Sequence, residues 1–231
     1  MKNGPRLLRS RSVFPVPVLN DPCPTLPRPH PADIPGPVLA HLFDSARLFH
    51  HIRGLCNGNY YRPVEDLLDI RPGDRILDVG CGTGEGSVMA IPGVEYVGID
   101  TDPGYIEYAT RLYGRPGVTF QHADIHQVQG KFTKAVVMCT LHHLSDGEVR
   151  DLGARLRELV SGDVAVADPD PVASRPLQRF ILSRDRGKYV RPIPEDLRLL
   201  EGSYRCRSVL TKNLPRLRLA KLTYSLCEPR A

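Results

Sequence analysis

Three glycines at alternate positions follow a short apolar run that ends in an acid, within the segment Ile76–Gly84. Glycine lacks a Cβ atom, so the backbone at Gly80, Gly82 and Gly84 can bend sharply and approach a ligand closely. The chain after Gly84 can begin a helix, whose first backbone N–H groups would face the same ligand. Asp78 precedes the glycines, and its carboxylate can accept hydrogen bonds. The segment predicts a strand that leads into a nucleotide-binding turn.

A second acid, Asp100, ends the next apolar run, which spans Tyr96–Ile99. The carboxyl ends of neighbouring parallel strands meet at one crevice. Asp78 and Asp100 can therefore both accept hydrogen bonds from a polar ligand there. This pair of acids predicts a cofactor site at the carboxyl edge of a sheet.

The spacing of the glycines excludes the dinucleotide fingerprint, which needs glycine at the first, third and sixth positions. Counting from Gly80, the sixth position is Glu85; counting from Gly82, it is Ser87. A hydride-transferring enzyme with a bound dinucleotide is therefore disfavoured. The pattern that remains is Asp-x-Gly-x-Gly-x-Gly, with a second acid sixteen residues after the last glycine.

The charges divide the chain into three parts. Residues 1–37 contain five basic residues (Lys and Arg) and two acidic ones (Asp and Glu). Residues 38–170 contain twelve basic and nineteen acidic residues, and residues 171–231 contain fourteen basic and five acidic residues. The basic C-terminal part favours an anionic small molecule as a substrate, although a solvated arginine-rich face explains the excess equally well. Nucleic acid is disfavoured as a partner because the basic residues lack interleaved aromatic residues that stack on bases.

Length and composition fit one α/β domain, since a chain of 231 residues can bury a substantial core. No window approaches the roughly 20 apolar residues that span a bilayer, and the N-terminus lacks the apolar segment of a secretory signal. We therefore expect a cytoplasmic protein, monomeric or homodimeric, with no membrane partner. The six cysteines form no Cys-x-x-Cys pair, so we expect reduced thiols and no structural zinc.

Residues 1–37 hold ten of the 22 prolines and show no apolar period, which predicts a disordered tail. A transit peptide is disfavoured because proline at this density prevents the amphipathic helix that such peptides form. We expect a single domain over residues 38–231. Its parts are N-terminal cap helices over 38–70, a cofactor-binding core over 71–170, a substrate-side helical insertion over 171–202, and the last two strands over 203–231.

The core alternates strands with helices, which predicts a parallel sheet covered by helices. Asp102 and Pro103 suit the start of a helix whose buried stripe includes Leu112, and Ser145 with Glu148 forms a capping box. The other predicted helices are Val38–Leu55, Pro63–Leu68 and, in the insertion, Pro176–Leu200. The predicted strands are Arg75–Val79, Glu95–Ile99, Val118–Gln121, Lys134–Cys139, Asp163–Ala167, Tyr204–Leu210 and Leu219–Leu226.

Several segments resemble, in the right order, the motifs of class I S-adenosylmethionine-dependent methyltransferases. They are the glycine turn, Val97–Pro103, Gln121–Ile125 and Val136–Asp146, and the resemblance covers roughly residues 50–170. It implies S-adenosylmethionine as the cofactor and a Rossmann-like, doubly wound α/β fold with seven strands, mostly parallel, the last one antiparallel. Phe180–Arg191 and the Leu-His-His-Leu motif resemble a bacterial subgroup called type 11-like, which implies a small-molecule acceptor.

The resemblance also implies roles for residues of the cofactor site. Asp100 would hold the ribose hydroxyls, Thr101 would lie against the adenine, and Asp124 would contact the adenine amino group. The glycine turn would lie along the methionine part of the cofactor. The implied cofactor-binding residues are Asp78, Gly80, Cys81, Gly82, Thr83, Gly84, Asp100, Thr101, Ala123, Asp124, Ile125 and Cys139.

Methyl transfer from a sulfonium is an in-line displacement, so the protein mainly brings the nucleophile and the methyl carbon together, away from water. A hydroxyl or ammonium nucleophile must also lose a proton. His142 and His143, at the carboxyl end of the fourth strand, are the candidate bases because a free imidazole titrates at about pH 6.5. A structural role of either histidine in the turn is equally compatible with the sequence.

The substrate-side candidates are Tyr60, Tyr61, Asp168, Arg186 and Tyr189. No metal site is expected at Asp168–Asp170, where two acids lack a third ligand.

Two other functions are alternatives. One is a cofactor-binding cyclase or a non-methylating member of the same fold; the intact glycine turn disfavours a non-catalytic site but is compatible with a cyclase. A nucleic-acid methyltransferase is disfavoured because the Asn/Asp-Pro-Pro-Tyr turn of amino-methylating enzymes is absent after the fourth strand, where the chain reads Cys139–His142. We predict methyl transfer to an oxygen or nitrogen atom of a small molecule.

Overall fold

The computed structural model describes residues 60–174, 176, 187–213 and 221–230. The chain divides into two units after Pro35, and every described residue belongs to the second unit, Gly36–Ala231. Several predictions therefore lie outside the described residues. They are the disordered tail over 1–37, the helix Val38–Leu55, most of the helix Pro176–Leu200, and the placement of Arg186.

Seven strands form one sheet in the order β3-β2-β1-β4-β5-β7-β6. The first five in the chain are parallel, and β7 is antiparallel to both β5 and β6. This confirms the predicted seven-stranded, mostly parallel Rossmann-like sheet. The strands are β1 (Arg75–Val79), β2 (Glu95–Asp100), β3 (Val118–His122), β4 (Lys134–Met138), β5 (Val164–Pro169), β6 (Tyr204–Asn213) and β7 (Lys221–Pro229).

Local signals in the sequence start the main helices. Asp102 accepts hydrogen bonds from Gly104 N and Tyr105 N at the start of α2, and Ser145 with Glu148 forms a reciprocal capping box at the start of α3, as predicted. The described helices are α1 (Arg62–Leu68), α2 (Pro103–Tyr113), α3 (Asp146–Leu159) and α4 (Ile193–Leu200). Three 3-10 turns lie at the carboxyl edge, Glu85–Met89, Ile125–Gln127 and Leu141–His143.

The sheet is buried on both faces, which explains why its inner strands are almost continuously apolar. Successive side chains of a strand point to opposite faces. In β1, Leu77 and Val79 pack in one cluster with residues of α3 and α4, whereas Ile76 packs in the other with residues of α1. Among the described residues, no helix is long and apolar enough to cross a membrane.

Two details of the predicted helices are wrong. The buried stripe of α2 was expected to hold Tyr105, Ile106, Ala109 and Leu112; Ile106 and Ala109 are buried, but Leu112 is 51% exposed. Residues 187–192 were expected within a helical insertion, but they are not helical, and α4 begins only at Ile193. Pro192 explains that start, because proline restricts the residue before it to extended backbone.

The expectation of six reduced thiols is also wrong. Cys206 on β6 and Cys227 on β7 are directly paired across the two antiparallel strands, and their sulfurs form a disulfide. Opposed residues on antiparallel strands have close Cβ atoms, which permits the bond. Cys81 and Cys139 are free thiols, and Cys23 and Cys56 lie outside the described residues.

Candidate functional site

The glycine turn joins the end of β1 to the neighbouring strand β2. Gly80, Gly82 and Gly84 have φ values of 72°, 54° and 90°, a left-handed conformation that residues with a Cβ atom rarely adopt. The backbone N–H groups of Gly80 and Cys81 both donate to the carbonyl oxygen of Ile99, at 2.9 Å each. The turn is therefore held at the carboxyl edge of the sheet, where the strand order reverses and ligands of such folds bind.

Asp100 organises the backbone on both sides of this crevice. Its Oδ2 accepts a hydrogen bond from Gly82 N at 2.9 Å, and its Oδ1 accepts one from Asp102 N at 2.9 Å. The side chain is half-buried, and each carboxylate oxygen can accept more than one hydrogen bond. Asp100 thus stands where it can accept hydrogen bonds from a polar ligand next to the glycine turn.

Asp124, the third acid of this edge, follows β3. Its Oδ1 accepts from His126 N at 2.9 Å, and its own N–H donates to Gln127 Oε1 at 2.7 Å. The neighbouring Ala123 N donates to the carbonyl of Asp100 at 3.1 Å. Asp124 is exposed, whereas Ala123 and Ile125 beside it are buried. The turns after β2 and β3 are therefore linked, and they present two acids at one edge.

Asp78 lies behind the glycine turn rather than on its surface. Its side chain is fully buried, and Oδ2 accepts a hydrogen bond from the Tyr96 hydroxyl at 2.5 Å. A Cβ atom at Gly86 would lie 2.1 Å from the same oxygen, so only glycine fits there. Burial raises the pKa of the Tyr96 hydroxyl, which keeps it a donor. Burial and the Asp78 charge also raise the pKa of the Cys81 thiol, which stays protonated.

The residues after β4 face the glycine turn from the other side of the crevice. Cys139 has a φ of 53°, an uncommon conformation for a residue with a side chain and one that occurs at functional sites. Thr140 Oγ1 lies so close to the turn that a Cβ atom at Gly80 would approach it to 2.4 Å. The turn after β1 and the turn after β4 are therefore in contact. His142 lies two residues after Thr140 in the chain.

His142 and Asp168 form a buried pair at this edge. His142 Nδ1 lies 2.6 Å from Asp168 Oδ1, and His142 N donates to Asp168 Oδ2 at 2.9 Å. The side chains are 5% and 1% exposed. Because an ionised carboxylate only accepts, Nδ1 must carry a proton, so Nε2 is the basic nitrogen whenever the ring is neutral. This is the arrangement of an oriented general base.

Arg191 and Asp196 surround the same turn. Arg191 Nη1 donates to Asp196 Oδ1 at 2.9 Å and to the carbonyl of Leu141 at 3.3 Å. Arg191 Nε donates to Asp146 Oδ1 at 2.9 Å, and Nη2 donates to the carbonyl of Leu144. Desolvation by burial and the negative charge of Asp168 raise the pKa of Asp196 to about 7, although Arg191 opposes the shift.

The remaining predicted site residues have different surroundings. Tyr60 and Tyr61 are each 3% exposed and pack in the core, where the Tyr224 hydroxyl donates to the Tyr60 carbonyl at 2.9 Å. Tyr189 is 41% exposed, and its N–H donates to the His142 carbonyl at 2.9 Å. His143 is exposed, and its ring centroid lies 4.1 Å from that of His142. The structure thus gathers His142, His143, Asp168 and Tyr189, whereas Tyr60 and Tyr61 are buried on the other side of the glycine turn, with the Tyr61 ring beside Gly86.

A family model described as a methyltransferase domain matches residues 76–163, which span the glycine turn, Asp100, Asp124 and His142. Residues 76–163 therefore resemble a methyltransferase domain, and the seven-stranded sheet has the class I methyltransferase fold. The cofactor of this family is S-adenosylmethionine, and solved structures of the same fold contain it or its product S-adenosylhomocysteine.

Among known relatives of the methyltransferase domain is the malonyl-[acyl-carrier protein] O-methyltransferase of Acetivibrio thermocellus. It is 32% identical over 126 residues, which cover 48% of this chain and 43% of that protein. The chain therefore spans less than half the length of this relative.

Solved structures share the fold at low identity. Magnesium protoporphyrin IX methyltransferase from Synechocystis PCC 6803 aligns with a TM-score of 0.61 and 17% identity, over 84% of this chain and 99% of that one. The pyocyanin biosynthetic protein PhzM aligns with a TM-score of 0.63 and 20% identity, over 83% of this chain and 60% of that one.

Three residues of the methyltransferase domain's site were not anticipated from sequence. Tyr96 lies within an apolar strand. Its hydrogen bond with Asp78 could not be predicted, because the two residues are eighteen positions apart in the chain. Arg191 is the last residue of the type 11-like segment, and nothing there indicates its partners. Asp196 lies in the first turn of α4, where acidic residues are common in any helix, so its position does not indicate a site. Within the described residues, no cluster of three or more His, Cys, Asp or Glu side chains could hold a metal ion.

The raised pKa of Asp196 predicts how the stability of the methyltransferase domain depends on pH. An unfolded aspartate titrates near about 3.9, whereas the folded group titrates at about 7. Between these values only the folded state holds the proton, so ionisation lowers the free energy of unfolding as pH rises from about 4 to about 7. The loss amounts to at most about 4 kcal/mol, at about 1.36 kcal/mol per unit.

Asp196→Asn cannot ionise and should not lose this stability. Urea denaturation at pH 5 and pH 8 checks the prediction. Between pH 5 and pH 8 the stability of the variant relative to that of the wild type should rise by about 2 to 3 kcal/mol. A difference between variant and wild type that is the same at both pH values would show that Asp196 titrates normally.

Proposed function

We propose that this chain transfers a methyl group from S-adenosylmethionine to an oxygen or nitrogen atom of a small-molecule acceptor. The observation that supports the proposal most is the buried His142–Asp168 pair, located beside the glycine turn at the carboxyl edge of the sheet. The turn supplies a place for the cofactor, and the pair supplies a base. Cofactor and base on facing turns are what deprotonation and methyl transfer require.

The residues at the edge fit the cofactor. Asp100 is half-buried and holds the Gly82 N–H, and its carboxylate suits two vicinal hydroxyl donors. The glycines after β1 leave room for a ligand to lie against the backbone. Thr101 and Asp124 lie at the same edge, on the exposed side where an adenine ring would sit. When bound, the cofactor supplies an activated methyl group on a sulfonium centre.

The proposed work of His142 is to remove the proton of the acceptor. Asp168 fixes the ring with both carboxylate oxygens, one on Nδ1 and one on the backbone N–H of His142. This fixes the tautomer in which Nε2 can receive a proton, and it stabilises the imidazolium that results. Burial of both side chains excludes water, so their mutual attraction is strong.

The nature of the acceptor follows from the same chemistry. A base is useful only when the acceptor atom carries a proton at neutral pH, as in a hydroxyl or an ammonium group. Oxygen is further supported by the Acetivibrio thermocellus relative, which is an O-methyltransferase. The basic excess of residues 171–231 supports an anionic acceptor. We also propose a cytoplasmic location.

The test is to incubate the purified protein with methyl-labelled S-adenosylmethionine and a small-molecule extract of the host. We expect label in an extractable small molecule and stoichiometric release of S-adenosylhomocysteine. The Asp100→Ala protein, treated in the same way, is the control for labelling without enzyme-bound cofactor.

Each other outcome decides against the proposal. Label in protein or nucleic acid would indicate a macromolecular acceptor. Binding of the cofactor with no consumption and no transfer of label would favour the cofactor-binding cyclase alternative. No binding or consumption of the cofactor would favour a non-methylating member of the fold.

A further inference from the structure

The segment Gly187–Arg191 lies directly on the turn that carries His142, and we call it the clamp. Its two ends and its middle each contact the turn. Gly187 packs on the His142 ring, Tyr189 N donates to the His142 carbonyl at 2.9 Å, and Arg191 holds two carbonyls of the turn. The clamp forms the end of the type 11-like segment, to which the proposed function gives no role.

Glycine is the only residue type that fits at position 187, over the His142 ring. A Cβ atom at this position would lie 2.2 Å from His142 Cδ2 and 3.0 Å from the His142 carbonyl oxygen. The ring is therefore covered by backbone at close contact on the side of Cδ2. Any added side chain must push the ring, and with it Nδ1, away from Asp168.

Arg191 adds hydrogen bonds from outside the turn: the Leu141 carbonyl also accepts from Leu144 N at 3.0 Å, and the Leu144 carbonyl lies at the end of the turn. A short 3-10 turn leaves its last carbonyl groups without intrahelical partners. Arg191 donates to the carbonyls of Leu141 and Leu144, the residues on either side of the two histidines. Its planar guanidinium presents several N–H groups in a fixed fork, which lysine cannot reproduce.

Arg191 is itself fixed from two helices. Asp146, at the start of α3, accepts from Nε, and Asp196, within α4, accepts from Nη1. The Arg191 side chain is 10% exposed and the Asp196 side chain 2%. The position of the turn is therefore tied to α3 and α4 through one arginine.

We propose that the clamp positions the His142 ring against Asp168, with Gly187 and Arg191 as positioning residues. The proposal rests on the proposed function, because His142 is the base there. Neither residue is assigned a contact with cofactor or acceptor. Their effect is to keep His142 in the single tautomer that has its proton on Nδ1.

The test reads the His142 ring directly, by nitrogen NMR of protein with 15N-labelled histidine. The His142→Gln variant assigns the resonances. Wild type should show the Nδ1–H tautomer alone, since Asp168 holds that proton. Gly187→Ala and Arg191→Lys should each lose this signature, and the ring resonances should shift to those of a mixture of tautomers.

Two matched variants are the controls. Gly202→Ala adds a methyl group where nothing lies within 4 Å of it, and Arg155→Lys changes an arginine that donates to the Val128 carbonyl at 2.8 Å, away from the turn. Both should keep the wild-type His142 signature. Calorimetric titration with S-adenosylmethionine checks that all four variants remain folded and bind the cofactor.

A wild-type His142 signature in both Gly187→Ala and Arg191→Lys would overturn the proposal, and so would equal changes in the two controls. If one clamp variant does not fold, the other decides alone. The measurement needs no acceptor. Failure of methyl transfer with an intact NMR result would therefore refute the proposed function and leave the clamp in place.

Discussion

Replacing Asp100 with alanine should weaken S-adenosylmethionine binding by about 100-fold or more. Hydrogen bonds to a charged acceptor contribute about 1.5 to 3 kcal/mol each, and two ribose hydroxyls would lose this partner together. A 100-fold loss corresponds to about 2.7 kcal/mol. The variant also loses the acceptor that holds Gly82 N at 2.9 Å, so the glycine turn would be less well ordered before binding. Calorimetric titration of wild type and variant with the cofactor measures the effect.

Asp102→Ala is the matched control for Asp100→Ala. Asp102 is an acid two residues further along the chain, and its carboxylate caps α2 through Gly104 N and Tyr105 N. Its loss should cost about 1 kcal/mol of stability and leave the affinity for the cofactor unchanged. Equal affinities of wild type and a folded Asp100→Ala protein would refute the assignment of Asp100 to the cofactor site.

Replacing Asp168 with asparagine should lower the rate of methyl transfer by about 100-fold to 10,000-fold, the range that a positioned base contributes. The asparagine amide can donate to Nδ1 and so stabilise the wrong tautomer, in which Nε2 carries the proton and cannot accept another. Binding of S-adenosylmethionine should be unchanged, because Asp168 contacts the histidine turn. The measurement is the initial rate of label transfer to the acceptor fraction, at saturating cofactor.

Asp170→Asn is the control for this experiment. Asp170 lies in the same connection, but its carboxylate accepts from Val172 N, Ala173 N and the Thr223 hydroxyl. It therefore orders the loop after β5 and has no part in the proposed proton transfer. A rate for Asp168→Asn equal to that of Asp170→Asn would show that His142 needs no oriented proton, and it would remove the main support for a base.

The parts of the fold that could be predicted from sequence depend on local signals. Asp102 and Ser145 start their helices through hydrogen bonds to residues two and three positions away, and such spacings can be read directly from the chain. The apolar runs of the inner strands follow from burial on both faces of the sheet. The glycine turn could be predicted because its φ angles exclude most other residues.

The parts that could not be predicted depend on pairs distant in sequence. Asp168 could be predicted only as a candidate substrate-side residue, because nothing near it in sequence signals its pairing with His142, twenty-six residues earlier. The Cys206–Cys227 disulfide depends on strand register, which spacing along the chain does not determine. The contacts of Gly187, Tyr189 and Arg191 with the His142 turn likewise join residues that are distant in sequence.

The position of β7 between β5 and β6 has a consequence for synthesis on the ribosome. In the described sheet, β6 pairs with no strand except β7, which emerges after it. Protein synthesis adds about 5 to 20 residues per second, so the backbone of β6 is unpaired until β7 has been made. An unpaired strand edge is prone to aggregation. Arg205, Arg207 and Lys212 are spread along β6 and stay exposed in the finished sheet. Charged side chains on such an edge disfavour its pairing with another chain.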